Sequence, residues 1–212
     1  MAIRQVDILR WIRAYTEVLA RNRDTLTQLD SAIGDADHGA NMDRGFQAVM
    51  SKLPDLADQD IGTILKTVGM TLLSTVGGAA GPLYGTLFIQ LGTAAAGKME
   101  LSLEETAAAL EAGVSGVQKR GKAEPGDKTM IDALNPALDA FKAAAAEGRS
   151  IPEAFKASAE AAKSGMEATI PLVARKGRAS YLGERSAGHQ DPGATSSYLL
   201  IQSAADVLSD ST

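Results

Sequence analysis

At 212 residues the chain fits one domain, 1–212, long enough to bury roughly 70% of its unfolded surface. The lack of cysteine excludes disulfides, thiolate metal sites and a thiol nucleophile, and fits a reducing, cytoplasmic setting. A net charge of −5 argues against a nucleic-acid partner, and two histidines fall short of a multi-histidine zinc site.

Apolar residues recur at helical spacing along almost the whole chain, without a convincing alternating strand. The pattern predicts an all-α fold of eight helices, near 3–22, 39–52, 60–76, 83–96, 103–120, 128–146, 152–173 and 194–209. The first stretch lacks the uninterrupted apolar core of a signal peptide. Between Lys66 and Lys98 no charge occurs, enough length for a membrane span. Its middle reads GGAAGPLYG, however, and such glycine and proline would break a spanning helix, so two buried helices and no membrane are expected. Ser102 with Glu105 forms a capping box, Asp127 suits an N-cap, and Pro152 suits a first helical turn.

In an up-and-down antiparallel bundle or barrel, alternate loops lie at opposite ends. The loops after the second, fourth and sixth helices, PDLADQ, GKMELS and EGRSI, are polar connectors. Those after the first, third, fifth and seventh are DSAIGDADHG, GGAAGP, GKAEPGD and RKGRASYLGERSAGHQDPG. They hold both histidines, a carboxylate cluster and a basic cluster, so the unusual chemistry gathers at one rim. The even-numbered helices also begin there, offering unpaired N–H groups and partial positive charge to phosphate. Their expected starts near 39, 83 and 127 are almost evenly stepped.

Asp30, Asp35 and Asp37 stand within eight residues with nothing basic between them. Carboxylate oxygens without sulfur select Mg²⁺, Mn²⁺ or Ca²⁺, and an EF-hand would need a closing glutamate that is missing here. A solvated capping loop is the plainer alternative. His38 is a ligand or a structural side chain, and Asn41 either donates to phosphate or ligates through its carbonyl. GTAAAGKM, from Gly92 to Met99, imitates a phosphate loop but lies at the other rim and lacks the Ser or Thr that would hold Mg²⁺. Gly121 closes one rim helix, Met130 is core or the apolar pad of a base, and among Arg175, Lys176, Arg178 and Arg185 one or two can face a phosphoryl group.

Together DSAIGDADHGANMDRG, VGGAAGPLYGT, RGKAEPGDKTM and RKGRASYLGERSAGHQDPGATS resemble the nucleotide-binding L subunit of the bacterial dihydroxyacetone kinases, across essentially the whole chain. The resemblance implies an eight-helix barrel with ADP or ATP at one rim. It implies two Mg²⁺ on Asp30, Asp35 and Asp37, and a nucleotide lined by His38, Gly39, Ala40, Asn41, Ala79, Ala80, Gly121, Met130, Arg178, Asp191, Pro192 and Gly193. Where this chain has Ala80 the family commonly carries a small hydroxyl residue, which leaves that contact to the backbone. Arg178 is the implied catalytic residue.

The implied partners are a dihydroxyacetone-binding subunit and a phosphotransferase-system protein that recharges bound ADP from phosphoenolpyruvate. A transcription regulator is a further implied partner. The rival readings are a stand-alone kinase subunit using free ATP and a nucleotide-sensing adaptor of such a regulator.

Overall fold

The computed structural model describes residues 2–209. Eight α-helices run in chain order: α1 (Gln5–Ile33), α2 (His38–Met50), α3 (Ile61–Thr75), α4 (Ala80–Ala94), α5 (Leu103–Gly121), α6 (Ile131–Ala146), α7 (Ile151–Ala168) and α8 (Pro192–Ser209). Each helix packs on the next, and α8 returns to α1, so the helices close into a ring. One apolar cluster draws on all eight of them. At its centre Tyr15 meets Phe46 edge-on at 4.8 Å, Phe46 meets Phe88 at 6.0 Å, and Trp11 lies 5.9 Å from Phe88.

The uncharged run forms α3 and α4, and no described helix is long and apolar enough to cross a membrane. These two helices touch backbone to backbone. A Cβ on Gly69 would stand 2.7 Å from the Gly85 carbonyl oxygen, and one on Gly92 would stand 2.7 Å from that of Gly62.

Several boundaries differ from the sequence expectation. α1 continues past residue 22 to Ile33, because Leu19, Leu26 and Ile33 keep its buried stripe going through a charged stretch. α4 begins at Ala80, with Pro82 in a first turn that needs no N–H donor there. α6 begins at Ile131 rather than 128, and Asp127 is not its cap. The Asp127 carboxylate instead accepts from Glu124 N at 2.9 Å, while Asp132 reaches back to Thr129 N at 2.7 Å. α7 stops at Ala168, shortly before Pro171. With starts at His38, Ala80 and Ile131, the even step disappears.

The capping box of Ser102 and Glu105 forms as expected, and Pro152 lies in the first turn of α7. The far rim is less plain than its polar loops suggest. There β1 (Ile3–Arg4) pairs antiparallel with β2 (Glu100–Leu101), and Leu53 and Leu56 are buried in a short 3-10 turn.

Candidate functional site

The site grows from the last turn of α1. Asp30 is buried, and its Oδ2 accepts from the backbone N–H groups of Asp37 at 2.8 Å and His38 at 3.1 Å. Those bonds fold the short loop back over the helix end. Its other oxygen lies over Gly34, where any Cβ would collide with it. Ala36 takes a left-handed φ of 61°, costly for a residue with a Cβ, and so turns Asp35 and Asp37 to one side. Ligand oxygens of Asp30, Asp35 and Asp37 then lie within 4.8 Å of one another. Three oxygens without nitrogen or sulfur, in a cradle that only glycine leaves open, fit a hard divalent cation.

Arg178 reaches this cluster from a distant part of the chain. It opens a 3-10 segment (Arg178–Ser186) between α7 and α8, and its Nε lies 3.0 Å from Asp35 Oδ2. Arg178 is itself exposed, as are Arg175 and Lys176 just before the segment and Arg185 within it, but among these four only Arg178 pairs with a carboxylate of the cluster.

Asp37 is the N-cap position of α2, so the first backbone N–H groups of that helix stand beside the carboxylates. Gly39 is needed for packing, since a Cβ there would strike the Arg23 carbonyl of α1. His38 is half-buried, and its Nε2 lies 2.9 Å from Ser196 Oγ. The Ser196 hydroxyl donates to Gly193 O at 3.1 Å, and its oxygen also meets the Tyr84 hydroxyl at 2.7 Å. Ser196 has one proton to share among these neighbours, so the tautomer of His38 decides which of the two side chains donates. Burial lowers the His38 pKa against the pull of Asp30 and Asp37.

Asn41 is buried, and its carbonyl oxygen accepts from Arg44 Nη2 at 2.6 Å. Arg44 Nε also donates to Thr75 O at 3.2 Å, which ties α2 to the end of α3. The Asn41 carbonyl oxygen keeps a second lone pair for a cation, and the amide N–H groups can donate to an anion, so both roles stay open to it. Gly77 lies against it, a Cβ there being 3.3 Å from the amide. From Gly77 the chain turns through Gly78, at φ 63°, to Ala79 and Ala80 at the start of α4. Gly121 ends α5, facing Leu83 in the first turn of α4. Ala40 lies in the first turn of α2.

The α8 end closes the rim. Asp191 is buried and caps that helix, its Oδ2 accepting from Ala194 N at 2.7 Å. Burial pushes its carboxyl up to about 7, against that hydrogen bond. Pro192 is the first helical residue, and Gly193 lies against Met130, a Cβ there being 3.6 Å from Met130 N. Met130 is buried and belongs to the main apolar cluster.

The residues singled out from sequence therefore share one rim. Gly34, Arg44, Tyr84 and Ser196 support them and were not among the site residues sequence reasoning picked out. Gly34 carried the only visible signal, as the break inside the acidic stretch, whereas Ser196 and Tyr84 look like ordinary helix residues.

A family model described as "DAK2 domain" matches residues 32–206. The chain is 50% identical over 202 residues to the PEP-dependent dihydroxyacetone kinase, ADP-binding subunit DhaL of Escherichia coli, covering 95% of this chain and 96% of that protein. It is 46% identical to the corresponding subunit of kinase 2 from Listeria innocua, covering 87% of this chain and 86% of that one. The dihydroxyacetone kinase of C. freundii, solved with AMP-PNP and Mg²⁺, superposes with a TM-score of 0.73 at 26% identity. That match covers 97% of this chain and 34% of the longer one.

Proposed function

The chain belongs to the DAK2-domain family, and from that membership we propose that it is the nucleotide-carrying subunit of a dihydroxyacetone kinase. In this reading ADP stays bound, is rephosphorylated by a phosphotransferase-system phosphoprotein, and passes the γ-phosphoryl group to dihydroxyacetone on a separate subunit. The observation that carries it is the convergence of Asp30, Asp35, Asp37, Arg178 and the start of α2 at one rim. Phosphate and divalent cation explain that mixture of charges together.

Asp30, Asp35 and Asp37 would hold two Mg²⁺, which when bound neutralise the phosphate oxygens and draw charge from the transferring group. The Asn41 amide and the first N–H groups of α2 would bind phosphate oxygens. Ala79 and Ala80, Gly121, Met130, and Asp191 to Gly193 would line the rest of the nucleotide. Arg178, already beside the carboxylates, would take the charge that builds on the phosphoryl oxygens. The hydroxyl oxygen of dihydroxyacetone would form the new P–O bond and release its proton to solvent as the bond from γ-phosphorus to the bridging oxygen breaks, and ADP remains behind. His38 is committed through Nε2 to Ser196, in keeping with direct transfer and no phosphorylated residue on this chain.

Relatives matched over almost their full length carry the phosphoenolpyruvate-dependent name, which favours bound ADP over free ATP. The test is to purify the protein, identify any nucleotide it releases, and assay dihydroxyacetone phosphate in a reconstituted mixture. Retained ADP is expected, with sustained product only when phosphoenolpyruvate, the phosphotransferase proteins and the substrate subunit are all present. Many turnovers on ATP alone would instead establish the free-ATP reading. Stable phosphohistidine during turnover would refute direct transfer.

A further inference from the structure

Between α7 and α8 the chain makes a long excursion, from Thr169 to Asp191, that carries Arg178. It packs Ala174 and Ala179 on Ile33 at the end of α1, with Leu182 against them. Its two ends meet at a neck, where Gly188 N donates to Ile170 O at 2.7 Å and Asp191 N donates to Thr169 Oγ1 at 3.0 Å.

Lys128, from the loop before α6, lies within this neck and is only 1% exposed. Its Nζ donates to Thr169 O at 2.7 Å and Leu172 O at 3.0 Å on the outgoing side, and to His189 O on the returning side. An ammonium has three donors, and carbonyls from both ends of the excursion take them. Thr169 also caps the C-terminus of α7, where unpaired carbonyls and the helix dipole favour a cation. Burial lowers the Lys128 pKa, and the nearby Asp191 and Asp132 act through space to keep the charge. The backbone of Lys128 is itself left-handed, at φ 63°, an unfavourable conformation for a residue with a Cβ. Apolar packing needs neither the charge nor that conformation, whereas a clamp on three carbonyls uses both. The same loop holds the excursion a second time, with Arg175 N donating to Asp127 O at 3.1 Å.

We propose that Lys128 is a positioning residue whose ammonium clamps both ends of the 169–191 excursion and thereby holds Arg178 over the aspartate cluster. Its link to phosphoryl transfer rests on the role given to Arg178 above, whereas the clamp itself does not.

Two measurements separate the claims. Lys128→Met removes the three donors at similar length. Amide hydrogen exchange in residues 170–190 should then speed up about ten- to a hundredfold, with the other helices protected as before. Unchanged exchange in that segment, or equal acceleration throughout the molecule, overturns the clamp. In the reconstituted transfer assay, Lys128→Met should lower kcat about tenfold or more while ADP affinity stays within about threefold, and Lys128→Met with Arg178→Ala should be no slower than Arg178→Ala alone. Additive losses overturn the positioning role. Wild-type transfer by Arg178→Ala would sink the role of Arg178 and leave the exchange result to decide the clamp. If Lys128→Met does not fold, Lys128→Gln, which keeps two donors without the charge, goes through the same measurements. Failure of both to fold assigns Lys128 to the core at large and overturns the proposal.

Discussion

Asp191 illustrates how much one rim residue depends on its surroundings. It sits in the wall formed by α6 and α8, and burial raises its carboxyl to about 7, with Asp132 and Asp30 adding to the shift and the Ala194 N–H and the Lys128 ammonium opposing it. In the unfolded chain the same group titrates near its ordinary value of 3.8. Between those values the folded protein keeps a proton that the unfolded chain has released, so this group's contribution to stability is fully present below the lower value and is lost as pH rises through the upper one. Urea midpoints of the nucleotide-free protein should therefore fall between about pH 5 and about pH 8 by more in the wild type than in Asp191→Asn, whose amide oxygen can still cap α8. Equal pH dependence in the two proteins would contradict the buried, protonated state. At this scale the acidic residues were legible because charge density is visible in a string of letters. The partners that orient them were not. Ser196 reaches His38 from the last helix, and Arg44 fixes Asn41 by a contact that only the folded rim creates.

Helices are where sequence spoke most directly, since apolar spacing and capping residues are local. Ser102 with Glu105 and Pro152 mark true starts for that reason. The misplaced boundaries share a physical cause, in that distant contacts decided them. The end of α1 is held by Leu26 and Ile33 buried against other elements, and the start of α6 is delayed by a left-handed Lys128 whose side chain reaches the carbonyls of the 169–191 excursion. Of the glycines in α3 and α4, only Gly81 and Gly85 belong to the stretch expected to break a membrane span. Gly62, Gly69, Gly85 and Gly92 instead form a seam along which two backbones approach closely. A methyl group on Gly69 would meet the Gly85 carbonyl oxygen at 2.7 Å and Ile89 N at 2.9 Å, backbone atoms that move only if the helices part. Gly69→Ala, although it favours the helix locally, should therefore destabilise the protein by about 1–3 kcal/mol in denaturant unfolding. Gly148→Ala supplies a contrasting case outside the seam, where a Cβ meets nothing and strain at φ 73° is the only cost. A stabilised Gly69→Ala would mean that the seam is looser than described.

At the scale of the whole molecule, the alternation of an up-and-down ring collects the C-termini of α1, α3, α5 and α7 and the N-termini of α2, α4, α6 and α8 at one rim. Loop parity alone dictates that division. The rim then opposes two kinds of charge, with carboxylates at the end of α1 and positive helix starts around them. On the proposed function either ligand alone would meet an incomplete site, since a bare diphosphate would be repelled by Asp30, Asp35 and Asp37, and a lone cation would have few ligands beyond them. The two should therefore bind with positive coupling. At about a hundredfold excess over its dissociation constant, a ligand adds about 2.7 kcal/mol of stability, or a rise of about 5–10 °C in Tm for a chain of this size. After removal of endogenous nucleotide, ADP with Mg²⁺ should give such a rise in scanning calorimetry, larger than the sum of the shifts from each alone. Asp35→Asn together with Asp37→Asn should abolish the excess, leaving the helical circular dichroism unchanged because neither side chain is part of the core. An equal shift from ADP in the presence of EDTA would show that the acidic cluster plays no part in holding the nucleotide.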